Sequence, residues 1–167
     1  IVTENVDFPD ILIADADMIT CLVPSAQLDA TGSDQGPAFN ISWTTQDGLI
    51  LTGAGTLSPE VGSAGTYDLV IVNQNNGCES TGSITVEAAL DVPEGTLEAS
   101  GVLTCVTDEV DLQGQITTDP TNVVFSWGTD QGTYTSNTNT LQPQVGATGL
   151  YWLILEDQVS GCTDTLE

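Results

Sequence analysis

The side chains that usually carry chemistry are few in this chain, and the missing types say as much as those present. Of 167 residues, 24 are Asp or Glu and four are Cys, while His, Lys and Arg do not occur. Without His or Lys there is no ordinary general base near neutral pH, no Ser–His pair and no amine for a Schiff base. Paired carboxylates can cleave glycosides, but nothing singles out one pair, so the chain is not expected to be an enzyme. The absence of Lys also forbids a Lys–Asn isopeptide crosslink. A net charge of −24 excludes a binder of phosphate backbones, which needs Lys and Arg to displace condensed counterions, and disfavours an anionic membrane surface.

The cysteines are the next chemical group, and their spacing exposes a repeat. Cys21 and Cys105 lie 84 positions apart, and the same offset relates Cys78 to Cys162, Trp43 to Trp127, Tyr67 to Tyr151, Pro59 to Pro143 and Pro9 to Pro93, with no gap needed. Rare residue types at one offset along the whole chain make it two tandem copies of one module. Two Cys per copy, with no Cys-x-x-Cys pair and no His, favour disulfides in an oxidising compartment over zinc; free buried thiols are the alternative. A bridge within a copy, Cys21 to Cys78, would close a loop of about 58 residues, for which the chain-entropy argument gives roughly 4 kcal/mol.

Oxygen-rich side chains raise calcium as the only cofactor to consider. Asp7, Asp10, Asp91 and Glu94 are the best candidates, because they alone recur as an acidic pair around the junction prolines Pro9 and Pro93. Asp15 and Asp17 could join the first pair. No spacing matches an EF-hand loop, and solvated surface acids that keep the chain soluble are the simpler reading.

These residues must be positioned by strands. Alternation with period two recurs between turn signals, and no stretch holds a helical period over a helix's length. Phe39, Ile41 and Trp43, matched by Val123, Phe125 and Trp127, face a core; so do Tyr67, Leu69 and Ile71, matched by Tyr151, Leu153 and Leu155. Asn75-Asn76-Gly77 and Val159-Ser160-Gly161 then turn the chain into a hairpin strand that opens at the second Cys. Further strands are expected around Leu28, at Val110 and Leu112, and more weakly over 11–14, 49–52 and 56–58. About seven short strands per copy predict an all-β chain of two tandem sandwiches. The same alternation sends Trp152 and Ile154 outward, making them candidates for contacts between subunits. Trp43 and Trp127 are expected in the core, packed on a cystine.

Read as Leu-Thr-Cys, Trp-x-Thr, Pro-x-Val, Gly-x-Tyr and then Asn-Gly-Cys or Ser-Gly-Cys, the pattern resembles the tandem Ig-like repeats of very large Bacteroidota surface proteins, akin to polycystic-kidney-disease-like and gliding-adhesin repeats. The resemblance covers essentially all of both copies and implies Ig-like sandwiches secreted to a cell surface. It departs from antibody-type domains, since Leu69 and Leu153 stand where the second Cys of a central disulfide would be.

The expected domains are 10–91 and 92–167, the second lacking most of its last strand. Residues 1–9 match that missing strand, with Val2 equivalent to Val86 and Val6 to Leu90. The chain is one residue short of two periods, the length expected of a unit in a longer polymer. An open sandwich leaves unpaired backbone and an exposed core groove, and an added strand is the physical remedy. Residues 1–8 are therefore expected to complete a neighbouring module, with Val2 and Val6 seated in it. The expected partners are copies of the chain or adjacent repeats, and the function a secreted structural block of an extracellular filament, stalk or giant adhesin. The alternative is a carbohydrate- or surface-binding adhesion module, with its ligand at the divergent stretches 31–38 and 115–122. No apolar run approaches the roughly 18 residues of a membrane span. Asn40-Ile41-Ser42 and Asp164-Thr165-Leu166 resemble N- and O-glycosylation motifs.

Overall fold

The computed structural model describes residues 3–167 and divides the chain into two compact units, Ile1–Ala89 and Leu90–Glu167. Both are built from strands, and among the described residues the only helical turn is a 3-10 turn at Pro120–Asn122. In the first unit the strands are β1 (Ile19–Thr20), β2 (Ala26–Gln27), β3 (Phe39–Thr45), β4 (Ile50–Thr52), β5 (Glu60–Val61), β6 (Gly65–Asn73), β7 (Glu79–Val86) and β8 (Ala88–Ala89). The second has β9 (Gly95–Ala99), β10 (Val110–Ile116), β11 (Val123–Asp130), β12 (Gln144–Val145), β13 (Leu150–Asp157) and β14 (Thr163–Leu166).

In the first unit an antiparallel sheet of order β3-β6-β7 faces a second of order β2-β5-β4, and β1 pairs in parallel with β8. Alternation does what period two requires: on β6, Tyr67, Leu69 and Ile71 are fully buried while the residues between them are half exposed. They share one core with Leu28 and Val61 of the other sheet and with Ile19 and Val86. The second unit repeats the arrangement with β11-β13-β14 and β12-β10-β9. There Leu112 and Val145 are buried, as are Leu153 and Leu155, and Gly114 of one sheet lies against Leu153 and Trp127 of the other.

Both units carry a tyrosine corner, the hallmark of immunoglobulin-like sandwiches. The Tyr67 hydroxyl donates to Ser63 O at 2.7 Å and accepts from Leu49 N at 3.0 Å. Tyr151 does the same with Ala147 O at 2.7 Å and Thr133 N at 2.8 Å. Each ring lies where a side chain on Gly48 or Gly132 would be, a Cβ there coming within 2.5 Å of the phenol, so these two glycines are required by close approach. The central tryptophans sit on the third strand of the fold, where each indole donates to a backbone carbonyl, Trp43 to Thr56 O and Trp127 to Thr140 O, both at 2.9 Å. Together these features make the chain two tandem Ig-like β-sandwiches.

Three expectations need correction. Residues 11–14 form no regular strand, although the equivalent stretch of the second unit is β9. Ser33 takes over part of the ladder's role: its buried hydroxyl accepts from Leu12 N at 2.8 Å and donates to Leu12 O at 3.1 Å. Residues 56–58 are a turn that receives the Trp43 indole, not a strand. The tryptophans do not pack on a cystine, since Trp43 stands opposite Leu69 and Trp127 opposite Leu153 across the strand pair.

Replacing Tyr67 by Phe removes the partner of the half-buried Ser63 carbonyl and of the Leu49 N–H, so urea unfolding should show a loss of about 0.5–1.5 kcal/mol. Tyr151 is only half buried, so water can replace its hydroxyl and Tyr151→Phe should cost visibly less.

Candidate assembly site

The cysteines do not pair within a module. Cys21 and Cys162 are disulfide-bonded, whereas Cys78 and Cys105 carry free thiols. The register explains why Cys21 cannot reach Cys78. Thr20 pairs with Ala89, so Cys21 lies beyond the far end of β7 and β8, while Cys78 immediately precedes β7. Ten or so extended residues at about 3.3 Å each put the two roughly 30 Å apart, and a disulfide needs Cα atoms within about 7 Å. The second unit is built alike: Gly95 at the start of β9 abuts Leu166 near the end of β14, while Cys105 and Cys162 lie at the opposite, outer ends of this pair of segments. The equal offset identifies equivalent positions and carries no information on which sulfurs are neighbours.

The second feature is a groove. In the first unit β7 pairs with β6 along its whole length, from Val72 opposite Glu79 to Gly65 opposite Val86. Val86 thereby enters the core, 1% exposed, beside Ile19, Leu28 and Val61. In the second unit β14 pairs only with Leu153–Glu156 of β13. Among the described residues no strand lies beside Leu150–Trp152 on that side. An apolar groove of about 290 Å³ remains, lined by Leu103, Val110, Leu112, Val145, Ala147 and Tyr151 among others. Its lining is equivalent to the wall around Val86. The consequence is visible in Tyr151, which is half buried where Tyr67 is fully buried.

Residues 3–8 form no strand within the chain, and Val6 and Phe8 are 54% and 65% exposed. The Asn76 side chain holds this segment at one point, donating to Asn5 Oδ1 at 3.0 Å and to Asp7 O at 2.9 Å. Val2 lies outside the described residues.

Trp152 and Ile154 do occupy the outward face of β13, but both are half buried. Trp152 stands opposite Gly128, and its indole fills the space a side chain at 128 would need, a Cβ there coming within 2.2 Å of Nε1. The first unit has Thr44 opposite Asp68 at these places. The exchange is paired: Gly128 clears the strand face for the ring. Setting Trp127 opposite Leu153 in the sequence would have revealed this partner.

The calcium candidates are not gathered into a site. Among the described residues no group of three or more Asp, Glu or Cys side chains is placed to hold a metal ion. Asp91 and Glu94 line an open polar cavity of about 420 Å³ with Asp119 and Asp157. The last two carboxylates are already engaged: Asp119 accepts from Thr121 N at 2.9 Å, and Asp157 from Ser160 N at 2.8 Å and Val159 N at 2.9 Å. These bonds to the charged form, the Thr121 side chain and backbone for Asp119 and the Ser160 N–H first for Asp157, lower both pKa values. Asp29 is lowered in the same way by Thr31. An aromatic cluster that sequence reasoning missed joins Trp127, Tyr134 and Tyr151, with ring centroids 6.4 and 5.4 Å apart. Burial, and then Tyr151, raise the Tyr134 pKa. Asn40 is exposed on β3 and Asp164 half buried on β14.

No protein-family model matches the chain and no curated protein matches it. It is similar to several solved tandem-domain structures. Murine CEACAM1b is 10% identical, with 95% of this chain and 96% of that one covered at a TM-score of 0.38. The N-terminal Ig1-2 module of the Drosophila receptor protein tyrosine phosphatase DLAR is 14% identical, with 96% of both chains covered at 0.34. The titin domains Z1Z2, solved in complex with telethonin, are 11% identical, with 98% and 96% covered at 0.36. The strand order and the tyrosine corners, not these similarities, establish the Ig-like fold.

A carbon-detected NMR titration should place the Asp157 carboxyl midpoint below the ordinary Asp value of 3.8. Because the folded value is depressed, the turn's stabilisation is complete above 3.8 and is lost as pH falls through the lower, folded value. Ser160→Pro should return the midpoint toward 3.8 by removing the first of the N–H donors.

Proposed function

We propose that the chain is a structural building block of an extracellular filament, stalk or large surface adhesin, built from Ig-like modules in series and secreted in the manner of the Bacteroidota repeats it resembles. Its role is mechanical and not catalytic. Antiparallel ladders resist unfolding, repetition sets reach, and the charge of −24 keeps fibres apart and soluble. The disulfide-bonded cysteines support an oxidising compartment, and no described helix is long and apolar enough to cross a membrane.

One observation carries the reading: the groove of the second unit lies where Val86 closes the first, and the residue equivalent to Val86 in the preceding period is Val2. Residues 1–8 of another copy would therefore continue the line of β14 beyond Glu167, with Ile1 opposite Leu150 and Val2 opposite Gly149 by the register of the first unit, seating Val2 among Leu103, Val110 and Val145. The gain is the burial of an aliphatic side chain, about 1.5–3 kcal/mol, together with satisfied ladder bonds. Repeated from copy to copy, the exchange makes a head-to-tail polymer.

A second reading, an adhesion module for a carbohydrate or another surface, draws on the polar cavity, whose lining residues Thr118, Asp119, Thr121 and Asn122 overlap the divergent stretch 115–122. The two readings separate in the electron microscope. Purified full-length protein should form filaments with a repeat of one or two modules, and a variant lacking residues 1–8 should stay monomeric while keeping its β-rich circular dichroism. Compact monomers of the intact protein that bind glycans would favour the second reading.

A further inference from the structure

The two cysteine positions of a module differ in kind, and each kind occurs once as a cystine and once as a thiol. The first kind sits in a short turn after the module's first strands. At Cys21 the turn is closed by Thr20 N to Val23 O at 2.9 Å and Val23 N to Thr20 Oγ1 at 3.1 Å. At Cys105 it is closed by Thr104 N to Thr107 O at 2.8 Å and Thr107 N to Thr104 Oγ1 at 3.0 Å. Both cysteines are exposed. The second kind follows a left-handed glycine, Gly77 with φ 77° or Gly161 with φ 65°, and its N–H is held by a side chain two residues back. Cys78 N donates to Asn76 Oδ1 at 2.9 Å and Cys162 N to Ser160 Oγ at 3.1 Å.

Of the first kind Cys21 is bonded and Cys105 free; of the second kind Cys162 is bonded and Cys78 free. The backbone that presents each free thiol is thus one that elsewhere in the same chain presents a disulfide sulfur. A bridge between the two kinds within one module is excluded by the separation of roughly 30 Å. The free thiols are therefore suited to a sulfur of the opposite kind on a different module.

We propose that Cys105 of one copy forms a disulfide with Cys78 of a second copy, linking the chains covalently head to tail. The proposal rests on the serial reading given above, in which the first unit of one copy follows the second unit of another. The chemistry is thiol–disulfide exchange with a low-molecular-weight disulfide such as oxidised glutathione. One thiolate attacks it, forming a mixed disulfide and releasing one glutathione thiol. The other thiolate displaces the second glutathione as a thiol, and the two protein protons end on the two glutathione sulfurs.

The test uses the full chain, mixed from unlabelled and ¹⁵N-labelled preparations, oxidised with glutathione disulfide and run on a denaturing gel without reductant. The expected result is a ladder in steps of 17.4 kDa that collapses on reduction. Acid-protease digestion, needed because trypsin has no site, should yield Cys105–Cys78 linked peptides of hybrid isotope mass. Cys78→Ser or Cys105→Ser alone should abolish the ladder, and a mixture of the two should stop at dimers. Dimers formed by either variant alone, linked peptides without hybrid masses, or wild-type filaments that dissolve to 17.4 kDa chains in detergent without reductant would each overturn the bridge. Electron microscopy keeps the two ideas distinct: filaments of the double Cys78→Ser, Cys105→Ser variant should persist but fall apart in detergent, whereas absence of wild-type filaments would strike the serial reading itself.

Discussion

A β-sandwich is closed only when its last strand is paired along its full length, and in this chain that closure rests on one residue. Val86 ends β7 with its side chain in the core of the first unit and its backbone opposite Gly65. The strand that carries it completes a sheet edge and at the same time covers Ile19, Leu28 and Tyr67. In the second unit, where among the described residues β14 pairs only with Leu153–Glu156, Tyr151 is half exposed and an apolar groove lies beside it. The cost is paired, since both ladder groups and apolar surface are left to water. Any segment able to supply both is held by both.

The charge sets the terms on which modules can meet. With 24 carboxylates and no cationic side chain, no salt bridge between side chains can form, and every long-range interaction between copies is repulsive. Association must come from short-range terms: apolar burial, backbone hydrogen bonds and covalent sulfur chemistry. The features suited to contact are of these kinds, an apolar groove, an unpaired strand edge and two free thiols. Repulsion opposes lateral clumping wherever such complementarity is missing. Carboxylates such as Asp29, Asp119 and Asp157 have local roles and act on their own turns by accepting backbone N–H groups.

Much of this architecture was legible in the residues. The offset of 84 and the alternation on Phe39–Trp43 and Tyr67–Ile71 identify the central strands, because their period of two is enforced by burial on one face. Short edge segments were harder to read, since Ser33 can satisfy Leu12 by its hydroxyl where a strand would use a ladder. The cysteines misled for a geometric reason. Matching positions in two copies define equivalence, but a bridge depends on which ends of a sheet the sulfurs occupy, and only the parallel pairing of Thr20 with Ala89 reveals that. The partner of Trp152 was not legible along its own strand, because its environment is set across the sheet by Gly128.

The most direct measurement of the central claim is a cryo-electron-microscopy reconstruction of the purified, assembled protein at a resolution that traces strands. Density for residues 1–8 of one copy continuing the line of β14 of the next, with Ile1 opposite Leu150 and Val2 in the groove beside Leu103 and Val145, is the predicted result. A groove left open to solvent between ordered copies, or residues 1–8 packed back on their own module, would contradict it.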